Sequence, residues 1–118
     1  MTVKEYLSQL SAFKVDEKKV TKIEKIYGKT LPDTVKKMVS NNDKSLFIGD
    51  YRILSFSEIK DAEDDLEVNF SDIGIIPLVD CGDNDFIVYN FKTEKWSLFN
   101  IIDSCSFKVK SKLEELMK

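Results

Sequence analysis

The sequence predicts an α+β fold in which helices come first, a mainly antiparallel meander of strands follows, and a C-terminal helix closes the chain. Apolar residues recur at helical spacing from Tyr6 to Val39. Runs of β-branched and aromatic residues then follow, joined by short polar connections that favour antiparallel neighbours. Apolar residues recur at helical spacing again near the C-terminus.

Start and stop signals delimit three N-terminal helices. The run Thr2-Val3-Lys4-Glu5 matches a capping box and predicts the first helix. Asp16 is placed to cap the second, and Gly28 follows its last apolar residue, where a left-handed residue is favoured. The third helix is predicted to restart at Leu31-Pro32-Asp33 and to end at Asn41-Asn42-Asp43.

A hairpin and a capped helix are predicted next. Ser45 to Ile48 and Tyr51 to Leu54 flank Gly49-Asp50, a typical two-residue turn. Ser55-Phe56-Ser57-Glu58 is a second capping-box match, and it predicts a helix from Phe56 to about Asp64.

Three successive strands and a final helix complete the prediction. The strands are read at residues 73–79, 86–91 and 95–102. The final helix is expected at residues 106–117, with Phe107, Leu113, Leu116 and Met117 as its core contacts.

Length and composition predict one cytoplasmic domain over residues 1–118. The chain has 118 residues, of which 42% are hydrophobic and 33% charged, as is typical of a globular domain. The N-terminus does not resemble a secretory signal, and no apolar run is long enough to span a bilayer. Two cysteines, Cys81 and Cys105, do not make a disulfide framework.

Negative charge is concentrated in the middle of the chain. The net charge is −3, but Lys60 is the only basic residue between Glu58 and Asp85, a segment rich in carboxylates. Such a field repels nucleic acid and membrane surfaces and attracts basic partners. Lysines on the second helix are interpreted as a solvated face, because no aromatic residues interleave with them.

Three segments in series resemble the SUKH superfamily, which includes bacterial toxin-immunity proteins and a yeast cell-wall-synthesis regulator. The first runs from Ile23 to Gly28 and continues through Leu31-Pro32-Asp33 into a helix. The second is Ile53 to Ile59. The third begins at Ile76-Pro77-Leu78, continues through residues 81–89 and reaches Trp96. The resemblance covers about residues 20–117, and it implies a curved sheet packed on helices and a stoichiometric protein binder.

A partner-binding patch is predicted from the acidic segment, the connection after residue 79 and the single tryptophan. Its members are Glu63, Asp64, Asp65, Glu67, Asp80, Asp83, Asp85 and Trp96. Each has a structural alternative, which the sequence leaves open. The first four also fit a solvated helix end, the next three fit turn chemistry, and the tryptophan fits a partly buried core position.

The residue inventory does not favour catalysis, a metal or a cofactor. The chain has no histidine, and its four glycines are scattered and form no phosphate-binding loop. A calcium loop around Gly82 would need more oxygen ligands, including a closing glutamate. We therefore expect no enzyme, no catalytic residues and no cofactor, while paired carboxylates and a small-molecule pocket remain open alternatives.

The functional hypothesis is an immunity protein that binds and neutralises one cognate bacterial toxin with a basic surface, such as a nuclease. The alternative is a regulatory or scaffold domain with an endogenous cellular partner. In either case we expect no nucleic acid or membrane partner, and a monomer or a weak homo-oligomer.

Overall fold

A computed structural model describes residues 1–41 and 43–118. Its helices are α1 (Val3–Leu10), α2 (Glu17–Tyr27), α3 (Asp33–Asn41), α4 (Phe56–Lys60), α5 (Ala62–Leu66) and α6 (Phe70–Ile73). Its strands are β1 (Leu46–Ile48), β2 (Tyr51–Ile53), β3 (Ile75–Gly82), β4 (Asp85–Asn90), β5 (Lys95–Asn100) and β6 (Cys105–Lys110). The strands form one antiparallel sheet in sequence order, which confirms the predicted α+β meander.

The predicted capping signals operate at the helix ends. Thr2 accepts from the Glu5 N–H at 3.1 Å while the Glu5 carboxylate accepts from the Thr2 N–H, so the capping box of α1 is complete. Asp16 caps α2, and Gly28 ends it in a left-handed conformation with φ 63°. The Pro32 carbonyl accepts the first bond of α3, so the helix begins at Asp33, within the predicted start Leu31-Pro32-Asp33. The predicted end of α3 includes Asn42, which lies outside the described residues.

The segment after β2 is divided into three short helices. Ser55 and Glu58 form the predicted capping box of α4. Asp61 then departs from helical geometry (φ −97°, ψ 7°), so the single helix predicted for this region becomes α4 and α5. α6 was not predicted; its last residue, Ile73, is where the sequence predicted a strand to begin, and Gly74 ends the helix with φ 87°.

The central strands are buried on both faces. Ile75 to Val79 of β3 and Phe86 to Tyr89 of β4 are buried throughout. Helical side chains continue this core; Phe70 of α6, for example, packs edge-to-face on Phe99 of β5 at 6.1 Å between ring centroids. Strands covered on both sides cannot present their central side chains to a partner, so binding surfaces are confined to the sheet edges, the turns and the outer faces of the helices.

The predicted C-terminal helix is wrong. Residues 105–110 form strand β6, paired antiparallel with β5, and the only helical turn after it in the described chain is a 3₁₀ turn at Leu113–Glu115. Phe107 and Val109 alternate with lysines, which is the period of a strand. Leu113 and Met117 are nevertheless buried, as the sequence predicted.

Within residues 1–41 and 43–118, every helix is too short or too polar to cross a lipid bilayer.

Candidate partner-binding surface

The acidic stretch predicted from the sequence lies on α5 and the residue that ends it. Asp64, Asp65 and Glu67 are exposed, and within the described part of the chain no ion pair is formed by any of them. We refer to these three carboxylates as the acidic surface. Glu67 adopts a left-handed conformation at the end of α5 (φ 56°), so the chain turns directly after it.

Glu63 differs from its neighbours because its carboxylate has a structural role. It accepts from the backbone N–H of Ser71 at 2.9 Å and from the Ser71 hydroxyl at 2.8 Å. These bonds satisfy a free donor in the first turn of α6, whose own N-cap residue makes no side-chain bond. Glu63 therefore joins α5 to α6. A partner that bound the Glu63 carboxylate would have to compete with Ser71 for it.

Arg52 on β2 organises the polar cluster beside α4. Its guanidinium donates to Asp80 of β3 at 2.9 Å and forms a second ion pair with Glu58 of α4. Ser45 also donates to Glu58, and we refer to these four residues as the Arg52 cluster. Arg52, Glu58 and Asp80 keep 27%, 31% and 26% of their side-chain surface exposed, so their interactions are only partly screened by water.

The cluster holds Glu58 in its charged form. Burial by itself would raise the pKa of Glu58 from 4.5, but hydrogen bonds from Ser45, the Ser55 N–H and Arg52, together with the Arg52 charge, lower it to about 2. Burial likewise opposes the charged form of Arg52, but Asp80 and Glu58 outweigh it and raise the pKa of the guanidinium. The Arg52 charge is thus compensated from within, so the cluster does not offset the acidic surface.

The acidic surface and the Arg52 cluster adjoin each other. A small cavity of about 50 Å³ is lined by Asp65 and Leu66 from α5 and by Arg52, Glu58 and Phe86 from the cluster and the sheet. The cavity is too small for an organic ligand. Its lining shows that α5 lies directly beside β2 and β4. Because Arg52 is paired with Asp80, Asp65 and the predicted site residue Asp80 lie in one region.

The connection between β3 and β4 is a tight hairpin turn. Asp83 and Asn84 both have positive φ (53° and 66°), which a type I′ two-residue hairpin turn requires, and both are exposed. Asp80 accepts from the Gly82 N–H at 2.9 Å, and Asp85 accepts from the Asn100 amide at 2.9 Å. Turn chemistry therefore accounts for most of the polar contacts here, and Asp83 alone among these three acids is fully presented to solvent.

The sequence left open whether Trp96 belongs to the partner-binding patch or to the core, and the structure places it in the core. It is 6% exposed, and its ring packs edge-to-face on Tyr89 at 5.2 Å between centroids. In this conformation it offers little surface to a partner.

Phe47 is the aromatic side chain that the sequence reading missed. It lies on β1 and is 71% exposed, whereas its neighbour Ile48 is 1% exposed. Cross-strand pairing places Phe47 opposite Arg52, so the ring stands on the same face of the sheet as the Arg52 cluster. The alternation of side chains along a strand could have identified Phe47. Because Ile48 points into the core, its neighbour must point outward.

A larger concavity lies elsewhere, between β2, the outer strands and the C-terminal segment. It has a volume of about 640 Å³ and is lined by three acids and three lysines (Asp50, Asp85, Glu115, Lys108, Lys110, Lys118) together with Tyr51, Leu98 and Leu116. Tyr51 closes one end by donating to the Leu116 carbonyl at 3.1 Å. Because the lining mixes both signs of charge, it does not select a partner by charge.

No set of three Cys, Asp or Glu side chains in the described residues has the spacing of a metal site.

A comparison with protein families decides the classification. The model of the SMI1 / KNR4 family (SUKH-1) matches residues 14–118, which includes every element from α2 to the last 3₁₀ turn. The chain belongs to the SUKH-1 family. No curated protein and no solved structure matches it.

The SUKH-1 assignment confirms the resemblance read from the sequence. The matched range contains the acidic surface, the Arg52 cluster and Phe47. SUKH domains are known as immunity and regulatory proteins that act by binding other proteins and are generally not catalytic. The family assignment therefore favours protein–protein interaction over catalysis as the role to examine.

Proposed function

We propose that this chain is an immunity protein that binds a cognate bacterial toxin in an equimolar complex and neutralises it by covering its active site. The acidic surface carries the proposal: three exposed carboxylates on α5 and its C-cap residue face solvent beside a cluster whose only cation is already paired. A toxin that acts on nucleic acid needs a basic active site, and opposite potentials speed the encounter of two such proteins.

The inhibitor supplies no chemistry in this scheme. Residues 1–118 act as one binding domain, as a monomer or weak homo-oligomer, without a catalytic residue or cofactor. We place the activity in the bacterial cytoplasm, where free thiols such as Cys81 and Cys105 are common. Asp80, Asp83, Asp85 and Trp96 remain in the proposed interface region, but with the structural contacts described above they contribute less than the acidic surface.

Co-expression with the product of the neighbouring gene tests the proposal. We expect that product to arrest growth alone, to be harmless with this chain present, and to elute with it as an equimolar complex in size-exclusion chromatography. An acidic protein of similar size and different fold serves as the control. If growth arrest persists, or if this chain instead binds a housekeeping protein, the regulatory alternative replaces the immunity function.

A further inference from the structure

β1 is an edge strand with an exposed aromatic side chain. It pairs with β2 on one side and ends the sheet on the other. Phe47, its middle residue, is 71% exposed. A single exposed apolar residue is common on protein surfaces and does not by itself mark an interface. Whether Phe47 marks an interface depends on its backbone hydrogen-bonding groups and on the charges around it.

The backbone of Phe47 is open toward the edge. Ile48 pairs with Tyr51 to close the two-residue turn, so this pair exchanges backbone hydrogen bonds. The next pair, Phe47 with Arg52, is then a non-hydrogen-bonded pair, and the Phe47 N–H and C=O point away from β2. An edge with outward donors and acceptors is able to accept an added strand.

The opposite edge of the sheet is protected in a way that β1 is not. β6 contains a register shift against β5, and Lys108 takes a left-handed conformation there (φ 52°). Lys108 and Lys110 are both exposed. A bulge and lysines both discourage strand addition at an edge. β1 has neither feature within its three residues, Leu46, Phe47 and Ile48.

The surroundings of Phe47 select a basic partner segment. Arg52, directly across from Phe47, is neutralised by Glu58 and Asp80. Lys44, two residues before β1, is exposed, but the three unpaired carboxylates of the acidic surface outnumber it, and Asp65 lines the same small cavity as Arg52. A second copy of this chain would bring like charges together at this edge, which costs free energy.

We infer that β1 is a docking edge for an extended, basic segment of a partner protein, with Phe47 as its apolar anchor. The inference rests on the proposed function in that it identifies where the partner binds. The segment adds its backbone to β1, covers the Phe47 ring and places cations against the acidic surface. Covering this site also removes water from the Arg52 cluster and strengthens its ion pairs.

A displayed library of short random peptides tests the docking edge with the full chain as target. Enriched peptides are then measured against wild type, Phe47→Ala and Ile102→Ala. Ile102 is the matched control because it is also 71% exposed but lies in the turn after β5. Since both side chains are exposed, both variants should keep the wild-type thermal midpoint.

We expect the enriched peptides to carry net positive charge and to lose at least about tenfold in affinity for Phe47→Ala, with no change for Ile102→Ala. The docking edge is overturned if no peptide is enriched, if the enriched peptides are acidic, or if they bind Phe47→Ala as well as wild type. It is also overturned if wild type dimerises in sedimentation and Phe47→Ala abolishes the dimer, because the occupant is then a second copy.

The neutralisation assay separates this inference from the proposed function. If Phe47→Ala neutralises the neighbouring gene product as well as wild type does, the docking edge is wrong and the immunity function stands. If wild type fails to neutralise but the peptides respond to Phe47→Ala as expected, the immunity function is wrong and the docking edge stands.

Discussion

At the scale of single residues, one cation compensates two half-buried carboxylates. The Arg52 guanidinium forms ion pairs with both Glu58 and Asp80. Removing one partner from such a cluster costs more than the interaction contributes, because the remaining charge is left partly desolvated. The cluster also joins β2, β3 and α4, so its strength determines how firmly the helix beside the acidic surface is held.

Glu58→Gln isolates the charge of this cluster. Glutamine keeps the capping box of α4, since it can also accept from the Ser55 N–H. We expect the variant to lose about 2 kcal/mol of unfolding free energy at pH 7, a value reduced for the partial exposure of Glu58.

The acid dependence of this loss follows from the pKa. Glu58 has a pKa of about 2 in the folded chain against 4.5 for the free group, so its contribution is complete above pH 4.5 and fades as the pH falls toward 2. Urea titrations from pH 7 to pH 2.5 should therefore show the stability curves of wild type and Glu58→Gln converging.

Glu5→Gln is the matched control for Glu58→Gln. Glu5 occupies the same position of a capping box, at an exposed position on α1 and without an arginine partner among the described residues. A stability loss of the same size in both variants would show that the carboxylate charge in the first helical turn, and not the ion pair with Arg52, is responsible.

For the predicted site, the sequence contained least information about which single residues are buried or already hydrogen-bonded. Four adjacent acids look alike in the sequence, but Glu63 is bound to Ser71 because α6 folds back beside α5. Trp96 is buried and packs against Tyr89, its cross-strand partner on β4. Both outcomes depend on contacts between separate elements, which the pattern of residue types along one element does not encode.

At the scale of elements, local signals correctly predicted the starts of α1, α2 and α4 and the end of α2. Capping boxes at Thr2 and Ser55, the Asp16 cap and the Gly28 stop all involve atoms within a few residues of one another, so the sequence alone was sufficient. The Gly49-Asp50 hairpin was predicted for the same reason.

The prediction for the C-terminal segment failed because the structure of that segment depends on its pairing with another strand. A strand such as β6 gains its hydrogen bonds from β5, and apolar residues at 107, 113, 116 and 117 happen to fit a helical face as well. Alternation in residues 107–110 was the competing signal, and tertiary pairing decided between them.

A pair of glycine substitutions tests the strand assignment of β6. Lys108 has φ 52°, which glycine adopts without strain, whereas Lys110 pairs regularly with Trp96. We expect Lys108→Gly to leave the unfolding free energy unchanged or raise it by up to about 1 kcal/mol, and Lys110→Gly to lower it by about 0.5–1 kcal/mol. A helix at 106–117 would instead make both substitutions cost about 1 kcal/mol each in the same denaturation experiment.

At the scale of the whole molecule, charge is distributed unevenly around the sheet. The β1 side carries the acidic surface, and the β6 side carries Lys108, Lys110 and Lys112, all exposed. A net charge of −3 therefore understates the field that a partner meets at the β1 side. Such a field acts over roughly a Debye length, about 8 Å at physiological salt, and so affects the encounter more than the final contacts.

Charge reversal on α5 should consequently slow association. We expect Asp64→Lys/Asp65→Lys to reduce the association rate with the neutralised toxin about tenfold at low salt, to change dissociation little, and to reduce the salt dependence of association. Glu63 is left intact because it holds Ser71. The control, Glu114→Lys/Glu115→Lys, makes the same charge change at two consecutive exposed positions of the C-terminal turn. Stopped-flow kinetics that slow equally in both variants would attribute steering to net charge alone and remove the acidic surface from the interface.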